Sequence, residues 1–344
     1  MMRIKKKLSV ILLLICTIWA CKKADDLNLY TFVGFIKPAH FPEPTYKFTS
    51  TALTEETFNL GRKLFHDGIL SRDNSISCAS CHISQNSFTH HGHDVSHGID
   101  DQLGVRNSLA LVNLAWSTSF FWDGGVQQLD LTSIVPIHSE IEMDETIDNI
   151  IKKLRAQEQY PKLFENAFGS TEISSNNVLK AISHYMVSLV SDNSKYDEVK
   201  RNKAIFTTEE ASGYKIFLAK CNSCHQEPLF TDYSFRDNGL GINPAKDLGR
   251  YEITLKEEDK LKFKVPTLRN LKYTAPYMHD GRIYNLQGVL NHYAREVVQT
   301  PTLDPIIQQN NGIPLTQQEM KDLLAFLNTL NDDSFVNNKT FMQP

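Results

Sequence analysis

Two stripes of apolar residues recur at helical spacing. One is Val178, Ile182, Tyr185, Met186 and Leu189; the other is Met320, Leu323, Leu324, Leu327 and Leu330. Steps of three and four put such side chains on one face of a helix. The second stripe opens at Thr316-Gln317-Gln318-Glu319, the pattern of a capping box, in which hydroxyl and carboxylate satisfy each other's backbone N–H. Both stripes are expected to be core. Strand signals are short and scattered, so the predicted fold class is mainly α.

The polar positions reveal a repeat. Thr54-Glu55-Glu56 is followed by Gly61-Arg62-Lys63-Leu64-Phe65, and Thr208-Glu209-Glu210 by Gly213-Tyr214-Lys215-Ile216-Phe217. Each copy predicts a helix with acids in its first turn, where they suit the positive end of the helix dipole. Thr207 and Glu210 form a second capping box. The repeat divides the chain into halves at 50–195 and 196–335, with the boundary in the polar stretch from Asp192 to Phe206, and 21–49 reads as a linker.

The first twenty residues stand apart. Arg3, Lys5, Lys6 and Lys7 precede an apolar run from Leu8 to Ala20, too short to span a bilayer comfortably. Cys21 follows Ile18-Trp19-Ala20. This resembles a bacterial lipoprotein signal, with Cys21 lipidated and the protein held at the membrane only through that anchor. Trp19 is bulkier than the usual residue there, and a plain cleaved signal peptide or an uncleaved anchor are the alternatives. The expected location is the periplasm.

Composition narrows the function. The 344 residues are 41% hydrophobic and 22% charged, with a formal net charge of −4. Losing the leader removes four positive charges and takes that figure to −8. A nucleic-acid binder is excluded as the natural reading. An acidic exported protein suits a small basic redox partner.

Of the six cysteines, Cys16 lies in the leader and Cys21 is the lipidation candidate. The other four make Cys78-Ala79-Ser80-Cys81-His82 and Cys221-Asn222-Ser223-Cys224-His225. Two thiols three positions apart can add to the two vinyl groups of one haem, and the next histidine is then held under its iron. A four-cysteine zinc site would space its pairs far more closely, and a dithiol redox motif would not need histidine twice. The expectation is two cytochrome-c-like domains, each with one covalent c-type haem.

With these motifs stand Arg106-Asn107-Ser108, Phe121-Trp122-Asp123-Gly124, Glu140-Ile141-Glu142-Met143 and Thr274-Ala275-Pro276-Tyr277-Met278-His279-Asp280-Gly281. In order and spacing, residues 50–332 resemble the bacterial di-haem cytochrome c peroxidases and the related MauG group. The resemblance implies that the His82 haem is the site of peroxide chemistry and the His225 haem the port for electrons. It implies Glu142 as the distal acid–base group and Trp122 as a relay between the haems. His97 falls near a histidine that ligates the first iron in many resting peroxidases; without that bond, the first haem rests five-coordinate. Tyr293 falls where peroxidases carry a methionine ligand and MauG a tyrosine; Met278 and His292 are rival ligands. Asn107, Thr274 and Pro276 match the family's calcium site, whose hard oxygen donors suit Ca²⁺. Thr132 stands where the family often has glutamine.

The implied activity is reduction of hydrogen peroxide to water with electrons from a small donor protein, a cytochrome c or cupredoxin. The alternatives are a MauG-like oxidase of a protein or small-molecule substrate, and an electron-transfer cytochrome without catalysis. Whether the protein is a homodimer stays open at this point.

Overall fold

The repeat in the sequence is a pair of helix crossings. The computed structural model describes residues 34–48 and 52–344; the leader, the expected anchor at Cys21 and residues 21–33 of the expected linker lie outside the described residues. The helices in chain order are α1 Glu55–His66, α2 Cys78–Cys81, α3 Ile134–His138, α4 Ile147–Ala156, α5 Gln159–Phe168, α6 Ser175–Val187 and α7 Lys195–Lys200. They continue with α8 Thr208–Lys220, α9 Tyr251–Thr254, α10 Leu286–Arg295, α11 Pro305–Gln308, α12 Gln317–Asn328 and α13 Asp333–Val336. Among the described residues the only sheet is an antiparallel pair, β1 Phe235–Arg236 and β2 Phe263–Lys264, with Phe235 opposite Lys264. The chain is mainly helical, as the patterning predicts. No helix among the described residues is long and apolar enough to cross a membrane.

In the first half α1 packs on α6, and in the second α8 packs on α12. The caps form as the sequence predicts: the Thr207 hydroxyl accepts from Glu210 N–H, and that of Thr316 from Glu319 N–H. Both apolar stripes are buried except for the half-buried Leu324, running past the helices to Leu189 and Leu330. Gly61 and Gly213, equivalent in the repeat, lie at the two crossings. A Cβ on Gly61 would overlap the carbonyl of Ala181, and one on Gly213 the carbonyl of Asp322. Glycine therefore sets how closely each helix pair approaches. Aromatic rings fill the rest: Phe65 and Tyr185 lie 4.9 Å apart, Phe217 and Phe326 5.1 Å.

The stretch expected as a boundary contains α7. Its Asp197 is fully buried against Arg269 and also meets His40 Nε2 at 2.8 Å. Other ties link residues far apart in sequence. Arg106 pairs with Asp123 and with Asp247, to which Nε donates at 2.6 Å and Nη2 at 2.8 Å. The chain end returns to α1 and α6: Arg62 Nη1 donates to the Thr340 carbonyl at 2.9 Å, and the Tyr185 hydroxyl to that of Phe341 at 2.6 Å.

Candidate functional site

Each helix α1 and α8 leads toward a CxxCH segment. The first pair of thiols sits on the single turn of α2, and the second directly follows α8. Burial pushes Cys78 and Cys221 up to about 12, so both stay neutral thiols rather than nucleophilic thiolates.

The two histidines are held alike. His82 Nδ1 lies 2.8 Å from the Phe88 carbonyl. His225 Nδ1 lies 3.2 Å from the carbonyls of both Phe230 and Pro266. A carbonyl can only accept, so each Nδ1 carries the proton and each Nε2 keeps a lone pair. Burial lowers the pKa of both rings, which favours that neutral form. An imidazole that binds metal through one nitrogen commonly has its other N–H held by a carbonyl in this way.

Both motifs line one cavity of about 850 Å³, together with Glu142, Trp122, Met278, His279 and Tyr293. Its walls are largely apolar, including Leu109, Val112, Ile182 and Leu323. Paired thiols, a histidine with a free Nε2 and an apolar cavity are the donor set and surroundings a c-type haem requires, and they occur twice.

Glu142 is brought to the first motif by a tight approach of two loops. Ile99 N–H donates to the Glu142 carbonyl at 2.7 Å, and a Cβ on Gly98 would strike the Glu142 backbone. Burial raises the Glu142 pKa. A carboxyl so placed, with no basic partner among the described residues, keeps its proton to a higher pH than an exposed one and can pass it on.

His97 stands at the rim of the same cavity, with both ring nitrogens engaged. Its Nδ1 lies 2.9 Å from Asp101 Oδ1 and its Nε2 3.1 Å from His93 Nδ1. The His93 ring in turn stacks on His90 at 4.2 Å. In this arrangement His97 offers no free lone pair to the cavity.

Trp122 is buried, and its indole N–H donates to the Asn107 carbonyl at 2.8 Å. Lys264 N–H donates to the Trp122 carbonyl at 2.7 Å, so the indole is held within its own half and the backbone beneath it by the other. Thr132 also lines the cavity, but its hydroxyl donates to the Leu129 carbonyl at 2.8 Å.

The three rival groups near the second motif separate. His292 is buried with Nε2 3.0 Å from the Asn238 carbonyl, and it is not part of the cavity wall. Tyr293 and Met278 both line the cavity. Asn238 Nδ2 lies 3.5 Å from the Tyr293 hydroxyl and 3.5 Å from Met278 Sδ. Burial pushes the Tyr293 phenol up to about 12.

Asn107, Thr274 and Pro276 all line the cavity. Asn107 Nδ2 donates to the carbonyls of His93 and Asp94, at 3.3 and 3.0 Å, which turns its Oδ1 into the free acceptor. Among the described residues no group of three or more histidines, cysteines or carboxylates could hold a metal ion, so a cation here would rest on neutral oxygens.

Sequence reasoning missed several neighbours. Asn238 gives no signal outside its contacts. Lys264 lines the cavity with its Nζ donating to the Ser119 carbonyl, and burial pushes its pKa down to about 7. His279 stacks on Phe263 at 3.6 Å, with its buried Nε2 3.9 Å from Asp280 Oδ2 and without a hydrogen-bond partner. A lysine in a two-residue strand and a histidine in a loop carry no periodic pattern that would have revealed this burial.

Comparison with known proteins agrees with the geometry. Residues 55–205 match the family described as di-haem cytochrome c peroxidase. The methylamine utilization protein MauG of Methylorubrum extorquens is 33% identical over 308 residues, which cover 86% of this chain and 83% of that protein. The cytochrome c551 peroxidase of Nitrosomonas europaea is 32% identical, covering 80% of this chain and 79% of the relative. A solved structure, described as a MauG-like protein associated with microbial copper homeostasis, superposes with a TM-score of 0.83 at 30% identity, covering 90% of this chain and 99% of the other.

Proposed function

The chain belongs to the di-haem cytochrome c peroxidase family, an oxidoreductase family, and from that premise we propose that it reduces hydrogen peroxide to water with electrons from an external one-electron donor. The observation that carries this reading is Glu142: a carboxyl with a raised pKa, without a basic partner, lining the cavity that holds the first CxxCH motif.

In this reading Cys78, Cys81 and His82 hold one haem, and Cys221, Cys224 and His225 the other. The bound iron supplies an open coordination position and the electrons that O–O cleavage requires. Glu142 takes a proton from one peroxide oxygen and returns it to the other, which leaves as water. Two electrons and two further protons complete the conversion of H₂O₂ to two waters. Trp122, held by Asn107 and Lys264, offers an aromatic relay along the wall that both motifs share. Tyr293 would supply a ligand to the iron held at the second motif, with Asn238 orienting its hydroxyl. With both nitrogens engaged, His97 would not be a ligand to an iron held at the first motif. Asn107, Thr274 and Pro276 would hold a calcium ion through neutral oxygens drawn from the two expected domains, 50–195 and 196–335. The mature protein is exported to the periplasm and held there by a lipid on Cys21, where a small cytochrome c or cupredoxin reaches it.

Tyr293 favours a second reading. A tyrosinate stabilises ferric iron and lowers the potential of the port, which suits withdrawal of electrons from a protein or small-molecule substrate, as in a MauG-like oxidase. Relatives of both kinds are similar to this chain. The two readings part in one assay, in which the haem-loaded protein is mixed with H₂O₂ and ferrocytochrome c. Rapid oxidation of the donor supports the peroxidase. Consumption of peroxide without donor oxidation supports the second reading, and no reaction with peroxide sinks both.

A further inference from the structure

The carbonyl that accepts from His82 belongs to Phe88, and Phe88 sits in an unfavourable conformation. Its φ is +60°, and that of Ser87 before it is +52°. Two consecutive left-handed residues, one of them a large aromatic, persist only where the surroundings over-determine them. Phe88 is fully buried among four rings. Phe65 at 6.1 Å and Tyr185 at 6.3 Å belong to α1 and α6. Phe335 at 5.8 Å and Phe341 at 6.5 Å belong to the end of the chain.

The second site is built differently. Its equivalent residue, Phe230, has φ +56° and is also fully buried, but its ring neighbours Tyr196, Phe217 and Phe326 all come from its own half. The His82 contact to Phe88 is also the shorter, 2.8 Å against 3.2 Å for each acceptor of His225, with the Leu109 backbone as its second support. The first site therefore borrows half of its aromatic cage from a segment more than 240 residues later. That segment is pinned by the Tyr185 hydroxyl and by Arg62.

We infer that the C-terminal segment 333–341 is a positioning element for the first site: Phe335 and Phe341 hold the Phe88 carbonyl on His82 Nδ1–H. The inference rests on the reading that His82 ligates a haem iron. A firm Nδ1–H···O=C bond gives the imidazole partial anionic character, which strengthens it as a donor and favours the oxidised metal. Loosening Phe88 weakens that donation at the first site and leaves the second untouched.

The test uses the full holoprotein and its Phe341→Ala and Phe341→Leu variants. The readouts are the iron–histidine stretch of the reduced first haem by resonance Raman and the midpoint potentials of both haems. The expected result for Phe341→Ala is a stretch moved to lower frequency and a first-haem potential moved upward, with the second potential unchanged. Phe341→Leu restores most of both shifts. Tyr185→Phe, which removes only the hydroxyl tether, moves both readouts in the same direction and serves if Phe341→Ala does not fold. Unchanged stretch and potential in Phe341→Ala, or in Tyr185→Phe where that variant serves, overturn the inference while leaving the haem assignment standing. Peptide mass spectrometry that finds no haem on Cys78 and Cys81 overturns the assignment and the inference with it.

Discussion

Arg269 meets Asp197 through two parallel hydrogen bonds of 2.8 Å, with both side chains fully buried. Burial alone would raise the Asp197 pKa, but the Arg269 hydrogen bonds and charge outweigh it and hold the carboxyl well below the usual range. The folded pKa is depressed, so this stability is fully present above the unfolded value of about 4 and drains away as pH falls below it. Asp197→Asn should cost about 3–5 kcal/mol at neutral pH, because it leaves Arg269 buried without its countercharge. Urea unfolding midpoints measured from pH 7 down to pH 3 check both points: the variant starts lower and loses less on acidification.

The two helix crossings give a second expectation. Alanine is a better helix former than glycine by about 1 kcal/mol, so Gly61→Ala and Gly213→Ala would stabilise free helices. Here the added Cβ meets a backbone carbonyl of the facing helix, and each change should instead destabilise by about 1–3 kcal/mol. Thermal melts of the two variants decide the sign.

Glu142→Gln removes the proton carrier while keeping shape and size. Peroxide turnover should fall about 10²- to 10⁴-fold, and the spectrum and potential of the second haem should not move. Burial raises the Glu142 pKa, so the wild-type rate should climb with pH through a value above that of an ordinary carboxyl. The variant should lose that limb. A rate in Glu142→Gln equal to wild type would exclude the acid–base role.

The wall residues near the second motif predict an asymmetry among substitutions. Tyr293→Met should raise the potential of the second haem, since a thioether favours ferrous iron more than a phenolate does. His292→Gln, remote from the cavity wall, should leave that potential in place. Spectroelectrochemical titration of the two variants separates the candidates, and a shift confined to His292→Gln would reverse the assignment.

Much of this was readable in the chain. The paired CxxCH segments, the α1 and α8 repeat and the capping boxes at Thr207 and Thr316 are local patterns, and local patterns survive into structure. The site's supports were not readable, because they are non-local. His292 and Tyr293 are adjacent in sequence, and only packing turns one toward Asn238 and the other to the cavity. Lys264 reaches Trp122 across 142 positions, through a backbone hydrogen bond that any residue type could make. Glu142 is an ordinary acid in sequence, and burial alone gives it an unusual pKa.

The returning chain end also sets an order of events. A chain emerging from its amino terminus exposes Cys78 and Cys81 early, long before Phe335 and Phe341 exist. The first motif can thus form on a chain that still lacks them, but the ring cage over Phe88 closes only once Phe335 and Phe341 have joined it. The support of the first motif is therefore completed by residues made more than 240 positions after it. A chain truncated before Phe335 would carry the first motif without half of the rings around Phe88.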